Sequence, residues 1–356
     1  MTPRERVLTS LSHSEPDKVP FTLSYGVNEY ARKQLAQLLN LPVNELEHRL
    51  YRLPDIKMLH VPFIGPESRG CIRGEEKFDY WGVIRKSKFN GFDYYDEIYH
   101  YPLAGLGDTI LLDDYEFPSP DWFDYNALKE TILKVKEEDD YAISVANANI
   151  FEHSWYMTGL ENMLVLMAAE PDLAYALMQK VTDFYMELME RSLIAADGLI
   201  DIIATSGDIG QQQGMLVSLP MWEKLIKPHH VRLNKMLHNY NVQIMYHTDG
   251  AVMEAIDGLT ETGIDILDPL QFDAAGMDPV KLKTAWGSKI SFHGGISVQK
   301  TLPFGTPEEV RKEVNERISV LGRGGGYILA PSHAVQGGTP PENILAFIEE
   351  AGRSLR

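Results

Sequence analysis

The chain has 356 residues, 44% of them hydrophobic, enough for the core of one large α/β barrel with an insertion. Its 51 acidic against 33 basic residues give a net charge of −18, which excludes a nucleic-acid or anionic-membrane surface built on clustered Lys and Arg. Cys71 is the only cysteine, so an intramolecular disulfide is excluded and a reducing cytoplasm is the expected compartment.

Residues 3–12 read as a short helix opened by Pro3. The same stretch, MTPRERVLTSLSH, lacks the apolar run of a signal peptide, and no segment approaches the ~20 apolar residues that span a bilayer. A first strand is expected at 21–24, a helix at 28–39 and a second strand at 57–61. Residues 65–125 are rich in Gly, Asp and aromatics and read as an irregular β-rich insertion. Its aromatics either pack on one another or form a lid that brings Trp81, Phe89, Phe92, Tyr94 or Tyr95 to a pocket. The lone Cys71 in it is read as a small core residue, with a thiolate role as the alternative.

From 126 onward strand and helix alternate. Helices are expected at 126–138, 160–169, 171–196, 219–239, 251–262, 278–286, 307–321 and 340–352. Strands are expected at 141–145, 199–204, 242–246, 264–267, 290–292 and 327–330. Alternation of this kind makes a parallel sheet with crossover helices. With the two early strands the count reaches eight, the number that closes a (β/α)8 TIM barrel, and one domain over 1–356 is the simplest organisation. A doubly wound open sheet is the rival, but no Gly-rich turn follows an early strand to hold a dinucleotide.

In a parallel barrel the active site gathers at the C-terminal strand ends, and here those ends carry the polar residues. Asn147 and Asn149 follow the strand at 141–145, with Glu152, His153, Trp155 and Tyr156 close behind. A Glu among aromatics is a candidate acid with a raised pKa. Asp208 and Gln212 lie in TSGDIGQQQG, Asp268 and Gln271 follow the strand at 264–267, and His293-Gly-Gly follows the one at 290–292. His247-Thr-Asp249-Gly ends a strand, where it offers either a metal pair or a base with its orienting carboxylate; capping of the next helix is the alternative. His333 lies in PSHAVQGG after the last strand, so His247, Asp249 and His333 form a candidate three-ligand set with an open position.

At these residues the chain resembles the uroporphyrinogen decarboxylase superfamily. The markers are PDKVPF, FEHSWYMTGLENML, IKPHH, MYHTDG, GIDILDPLQ, FHGGISVQ and GGGYILAPSHAVQGGTPPENILAF. The resemblance implies a (β/α)8 barrel, a homodimer, and one of two chemistries. True decarboxylases carry an Arg-rich motif of the kind RQAGRY, where this chain has SYGVNEYARKQL with Arg32 alone. The methyltransferases that feed corrinoid proteins carry zinc on His-x-Cys and a distant Cys. His247-Thr-Asp249 stands at the first place and His333 near the second. A set without thiolates is harder and suits an oxygen-containing methyl donor, an aryl methyl ether among the candidates. The implied activity is transfer of that methyl group to the cobalt of a corrinoid (cobalamin) carried by a separate protein, with zinc activating the leaving oxygen. Metal ligands are then His247, Asp249 and His333; catalytic groups Glu152, Asp208 and His293; substrate contacts Trp81, Asn149, Tyr156 and Gln212. A metal-free decarboxylase and a barrel with a degenerate site are the rival readings.

Overall fold

Thr2 caps the first helix, Pro3–Leu11: its Oγ1 accepts the Glu5 N–H at 3.1 Å while the Thr2 N–H donates to Glu5 Oε2 at 2.9 Å. Val7 and Leu11 from this helix pack against Ile56, Ala142, Ile202, Met245, Ile266 and Ile328. Five of those six lie at the first or second position of a parallel strand, so the helix closes the N-terminal end of the sheet and leaves the C-terminal end for chemistry. The structure is a computed structural model that describes residues 1–92, 94–107 and 111–355. The side chains of residues 146 and 147 lie outside the described residues, and with them the expectation for Asn147.

The strands run in chain order as follows. β1 is Ile56–Leu59. β2 (Ile72–Arg73), β3 (Glu76–Phe78), β4 (Ile84–Phe89) and β5 (Tyr94–His100) pair antiparallel as a separate sheet. β6 is Ala142–Asn149 and β7 is Ile202–Ser206. β8 (Gly210–Gln211) and β9 (Gly214–Met215) make a small hairpin. β10 (Gln243–His247), β11 (Ile266–Leu270), β12 (Ser291–Ile296) and β13 (Tyr327–Pro331) complete the set. β1, β6, β7, β10, β11, β12 and β13 hydrogen-bond in that order as one parallel sheet, and helices fill the crossovers.

The expected strand at 21–24 takes the eighth place in reduced form. Thr22 N–H donates to Leu329 O at 3.0 Å, Leu329 N–H to Pro20 O at 2.8 Å, and Asp55 N–H to Phe21 O at 2.8 Å. These bonds link β13 back to the start of β1. Pro20 has no N–H to give, and Ser24 turns away at φ 50, so only a bridge forms where a full strand was expected. The architecture is that of a TIM barrel with seven ladder strands and one bridge.

Register explains the site. Asn149 pairs with Ser206, Ser206 with His247, and His247 with Asp268. Four neighbouring strands therefore present these residues side by side at one level.

Several elements differ from expectation. The helix expected at 219–239 is two, Leu219–Leu225 and Lys227–His238, because Pro228 cannot donate back into the preceding turn. Helices Val43–Arg52 and Ile150–Thr158 were not expected. β12 runs to Ile296, so His293 lies within a strand and not after it.

In the insertion, Trp81, Val83, Leu103 and Leu106 are buried and pin it to the main core. Trp81, expected at a pocket, is a core residue: it stacks on His153 at 5.2 Å between ring centres and meets Phe184 edge-on at 4.9 Å. Burying so large a ring is worth more to the fold than exposing it to a ligand. Phe89, Phe92, Tyr94 and Tyr95 remain more than half exposed. Phe92 lies 6.1 Å from the Tyr30 ring and against Gly337, where an added Cβ would stand 3.0 Å from the Phe92 Cβ. No helix among the described residues is long and apolar enough to cross a membrane.

Candidate active site at the C-terminal barrel mouth

Asp268 organises the site. Its Oδ2 accepts from His247 Nδ1 at 2.8 Å, and its Oδ1 accepts from His293 Nδ1. His293 Nε2 meets Thr22 Oγ1 at 2.7 Å, so both ring nitrogens are engaged and the ring is locked. Tyr25 OH lies 3.1 Å from His247 Nδ1. With Nδ1 tied to Asp268, His247 turns Nε2 toward the mouth, 3.8 Å from Asp208 Oδ1 and 3.9 Å from Asp249 Oδ2. Asp208, His247 and Asp249 each offer one ligand atom, and these atoms lie within 4.8 Å of one another.

Local backbone geometry fixes the two aspartates. The Asp249 N–H donates to Asp208 Oδ1 at 3.0 Å, and the Thr248 N–H to Asp268 O at 2.6 Å. Gly250 adopts φ +89 and donates its N–H to Gln271 Oε1 at 2.8 Å. A Cβ on Gly250 would stand 2.7 Å from Gln211 N, so glycine lets the β8–β9 hairpin press onto the turn that carries Asp249.

Glu152 sits behind this group, 4% exposed, with Ser206 Oγ–H donating to its Oε1 and Oε2 at 2.8 and 2.7 Å. Burial, then the charge of Asp208, pushes its carboxyl up to about 8. Burial raises Asp249 to about 6, against the pull of His247. Burial also opposes charge on Asp268, yet the charge of His293 and the hydrogen bonds of both histidines hold its carboxyl well below the usual range. His247 is driven to about 10: burial disfavours its charge, but the hydrogen bond to Asp268 and the carboxylates around it prevail. Four carboxyl groups thus converge around the rings of His247 and His293. The donor set, one imidazole nitrogen and two carboxylate oxygens, fits a divalent cation, and the Asp268–His247 bond is the usual support for a metal-binding imidazole.

The trio that lies close together is not the trio expected from sequence. His247 and Asp249 come together as expected, and Asp208, expected to be catalytic, joins them. His333 stands beside the group, its ring centre 6.4 Å from His247 and 5.0 Å from Tyr25. Burial and then the His247 charge lower its pKa. Tyr156 lies on the helix after β6 within the field of Glu152, with Arg85 over its ring at 5.0 Å. Asn149 ends β6, and its backbone carbonyl accepts from His153 Nδ1 at 3.0 Å. Gln212 sits at the β8–β9 turn and lines a cavity with Asp249 and His333.

Asp268, Ser206, Thr22 and Tyr25 were not assigned roles from sequence. The signal for Asp268 and Ser206 was present, since both lie at strand ends. Tyr25 carried none, as it reaches His247 only through the barrel closure.

A family model described as uroporphyrinogen decarboxylase (URO-D) matches residues 123–354. The chain is 27% identical over 188 residues to the uroporphyrinogen decarboxylase of Geotalea daltonii, covering 52% of this chain and 50% of that one. It is 28% identical over 204 residues to a methylated-thiol–coenzyme M methyltransferase of Methanosarcina mazei, covering 56% and 49%. The chain thus spans about half the length of the curated relatives it matches. A solved methyltransferase from Methanosarcina mazei superposes over 99% of this chain and 98% of that chain with a TM-score of 0.67 and 17% identity, which shows a shared fold.

Proposed function

The chain belongs to the uroporphyrinogen decarboxylase family, and we propose that it is a methyltransferase of the corrinoid-linked branch. In this reading it moves a methyl group from a small oxygen-containing donor to the cobalt(I) of a corrinoid on a separate protein. The observation that carries the proposal is the thiolate-free cluster of Asp208, His247 and Asp249, backed by Asp268. The same acidity argues against decarboxylation of a porphyrinogen: Asp208 and Asp249 face the mouth and would repel a polycarboxylate, which needs cations to receive it.

Zinc is the proposed ion, held by Asp208, His247 and Asp249; when bound it supplies Lewis-acid stabilisation of negative charge on the oxygen losing its methyl group. The chain's own groups do the rest. Asp268 fixes the His247 ring, and His293, held by Thr22, fixes Asp268. Glu152, its carboxyl raised to about 8 and oriented by Ser206, is the group that holds a proton for the departing oxygen. The carbon–oxygen pair leaves with oxygen as the methyl carbon bonds to the acceptor cobalt(I), and the Glu152 proton converts the departing alkoxide into the alcohol. His333 and Tyr25 wall the mouth beside His247.

The test is a label experiment. A donor labelled in its methyl carbon, incubated with zinc-loaded protein and free cob(I)alamin, is expected to yield labelled methylcobalamin in step with donor loss. Release of carbon dioxide from a porphyrinogen, with no methyl transfer, would favour the decarboxylase. A second prediction concerns Asp268→Asn, which leaves His247 without its carboxylate partner. Zinc affinity, read by competition with a chelating dye, is expected to fall about 10- to 100-fold.

A further inference from the structure

Between Asp249 and the loop after β13 lies a cavity of about 260 Å³, with Ser332 and His333 on one wall. Gln212, Gln271, Gln299 and Gln336 contribute four carboxamides. Among the described residues no Lys, Arg, Phe, Tyr or Trp lines it, and Val298 is its one apolar side chain. It is small beside common ligand sites of about 300–1,000 Å³.

The polar groups are of mixed sense. Gln271 commits Oε1 to the Gly250 N–H, so its Nε2 is the end that remains to donate. Gln336 Nε2 donates to Ala334 O at 3.2 Å, so its Oε1 remains to accept. Ser332 is 2% exposed, and its Oγ is buried without a hydrogen-bond partner among the described residues. A buried hydroxyl left unpaired is costly, and a ligand that pairs with it removes that cost.

We infer that this cavity receives the methyl donor and selects a small, uncharged, hydroxyl-bearing aliphatic methyl ether over an aryl one. The inference rests on the methyl-transfer reading of the adjoining site. A hydroxyl both donates and accepts, as these walls require. An anion only accepts, meets no Lys or Arg in these walls, and leaves their donor-seeking carbonyls unpaired. An aryl ring, or a quaternary ammonium seeking aromatic faces, finds none. The exposed aromatics of the insertion do not reach the cavity.

Binding is measured on the full-length, zinc-loaded protein by ligand-observed NMR, with no corrinoid present. The probes are the monomethyl ether of glycerol, anisole and methoxyacetate. The glycerol ether is expected to bind and the other two to bind at least tenfold more weakly. Ser332→Ala and Gln212→Leu are each expected to weaken the glycerol ether by about three- to tenfold, the range of one hydrogen bond. The melting temperature of ligand-free Ser332→Ala is expected to hold or rise, because the variant removes a buried hydroxyl that serves no protein partner; a purely structural role would lower it. Tighter binding of anisole or methoxyacetate, no binding of any probe, or Ser332→Ala that binds like the native chain would overturn the inference. Binding as expected without methyl transfer to cob(I)alamin would sink the methyltransferase reading and leave the cavity assignment standing.

Discussion

The His247→Ala protein is expected to bind no stoichiometric zinc and to transfer methyl groups about a thousandfold more slowly, the several kcal/mol that a Lewis acid contributes at a departing oxyanion. His247 Nε2 is the one nitrogen donor in the cluster, 3.8 Å from Asp208 Oδ1 and 3.9 Å from Asp249 Oδ2, and without it only the two carboxylates remain. The alanine variant also strips Asp268 of a buried hydrogen-bond donor. His247→Gln separates the two effects, because an amide N–H can still serve Asp268 while the metal-facing imidazole nitrogen is gone. Both variants are expected to lose zinc by elemental analysis; the glutamine variant is expected to keep the native urea midpoint more closely. Native zinc content in either one would remove His247 from the metal site.

The second large effect is on acid stability. His229 and His230 are buried on the helix Lys227–His238, and His230 has neither ring nitrogen paired among the described residues. Burial, then the charge of Arg232, lowers His229 to about 4; burial, then the charge of His229, lowers His230 to about 3. Both folded values lie below the ordinary value of 6.5 that the unfolded chain keeps. The unfolded state therefore takes up protons first as pH falls, and stability present above about 6.5 is lost toward 4. Two such rings lose about 3 kcal/mol per pH unit in that window, large against a total of about 5–15 kcal/mol. Glu152 and Asp249, with raised values, work in the opposite direction, so the native curve alone does not isolate the histidines. The His229→Phe/His230→Phe protein does. Its urea-derived stability relative to the native chain is expected to rise steadily from pH 6.5 to 5. Parallel curves for the two proteins would mean that the rings do not titrate as buried, unpaired groups.

Particular residues show how far the sequence could be read. The alternation from residue 126 onward named the barrel, because crossover helices and apolar strands have separate periods. Strand ends were read short, however: β11 runs through Asp268 to Leu270 and β12 through His293 to Ile296. Polar side chains that face the barrel mouth look like loop residues when apolar content is the guide. That is why Asp268, which ties two histidines together, carried no assigned role. His247-Thr-Asp249 was legible as a close pair in one turn. The third member was not, since Asp208 joins it through the Ser206–His247 register of β7 and β10, a long-range fact. His333 was read as a ligand from its place after the last strand and from the family pattern, and the fold sets its ring centre 6.4 Å from that of His247. Trp81 was open between lid and core, and packing against His153 and Phe184 made it core.

The central claim is that Asp208, His247 and Asp249 together hold a divalent cation. A crystal of zinc-loaded protein, with anomalous scattering collected at the zinc edge, tests it most directly. The account predicts one strong peak per chain, bonded to His247 Nε2 and to one carboxylate oxygen from each of Asp208 and Asp249. A peak shared by His247 and His333 without Asp208, or no peak at the barrel mouth, would contradict it.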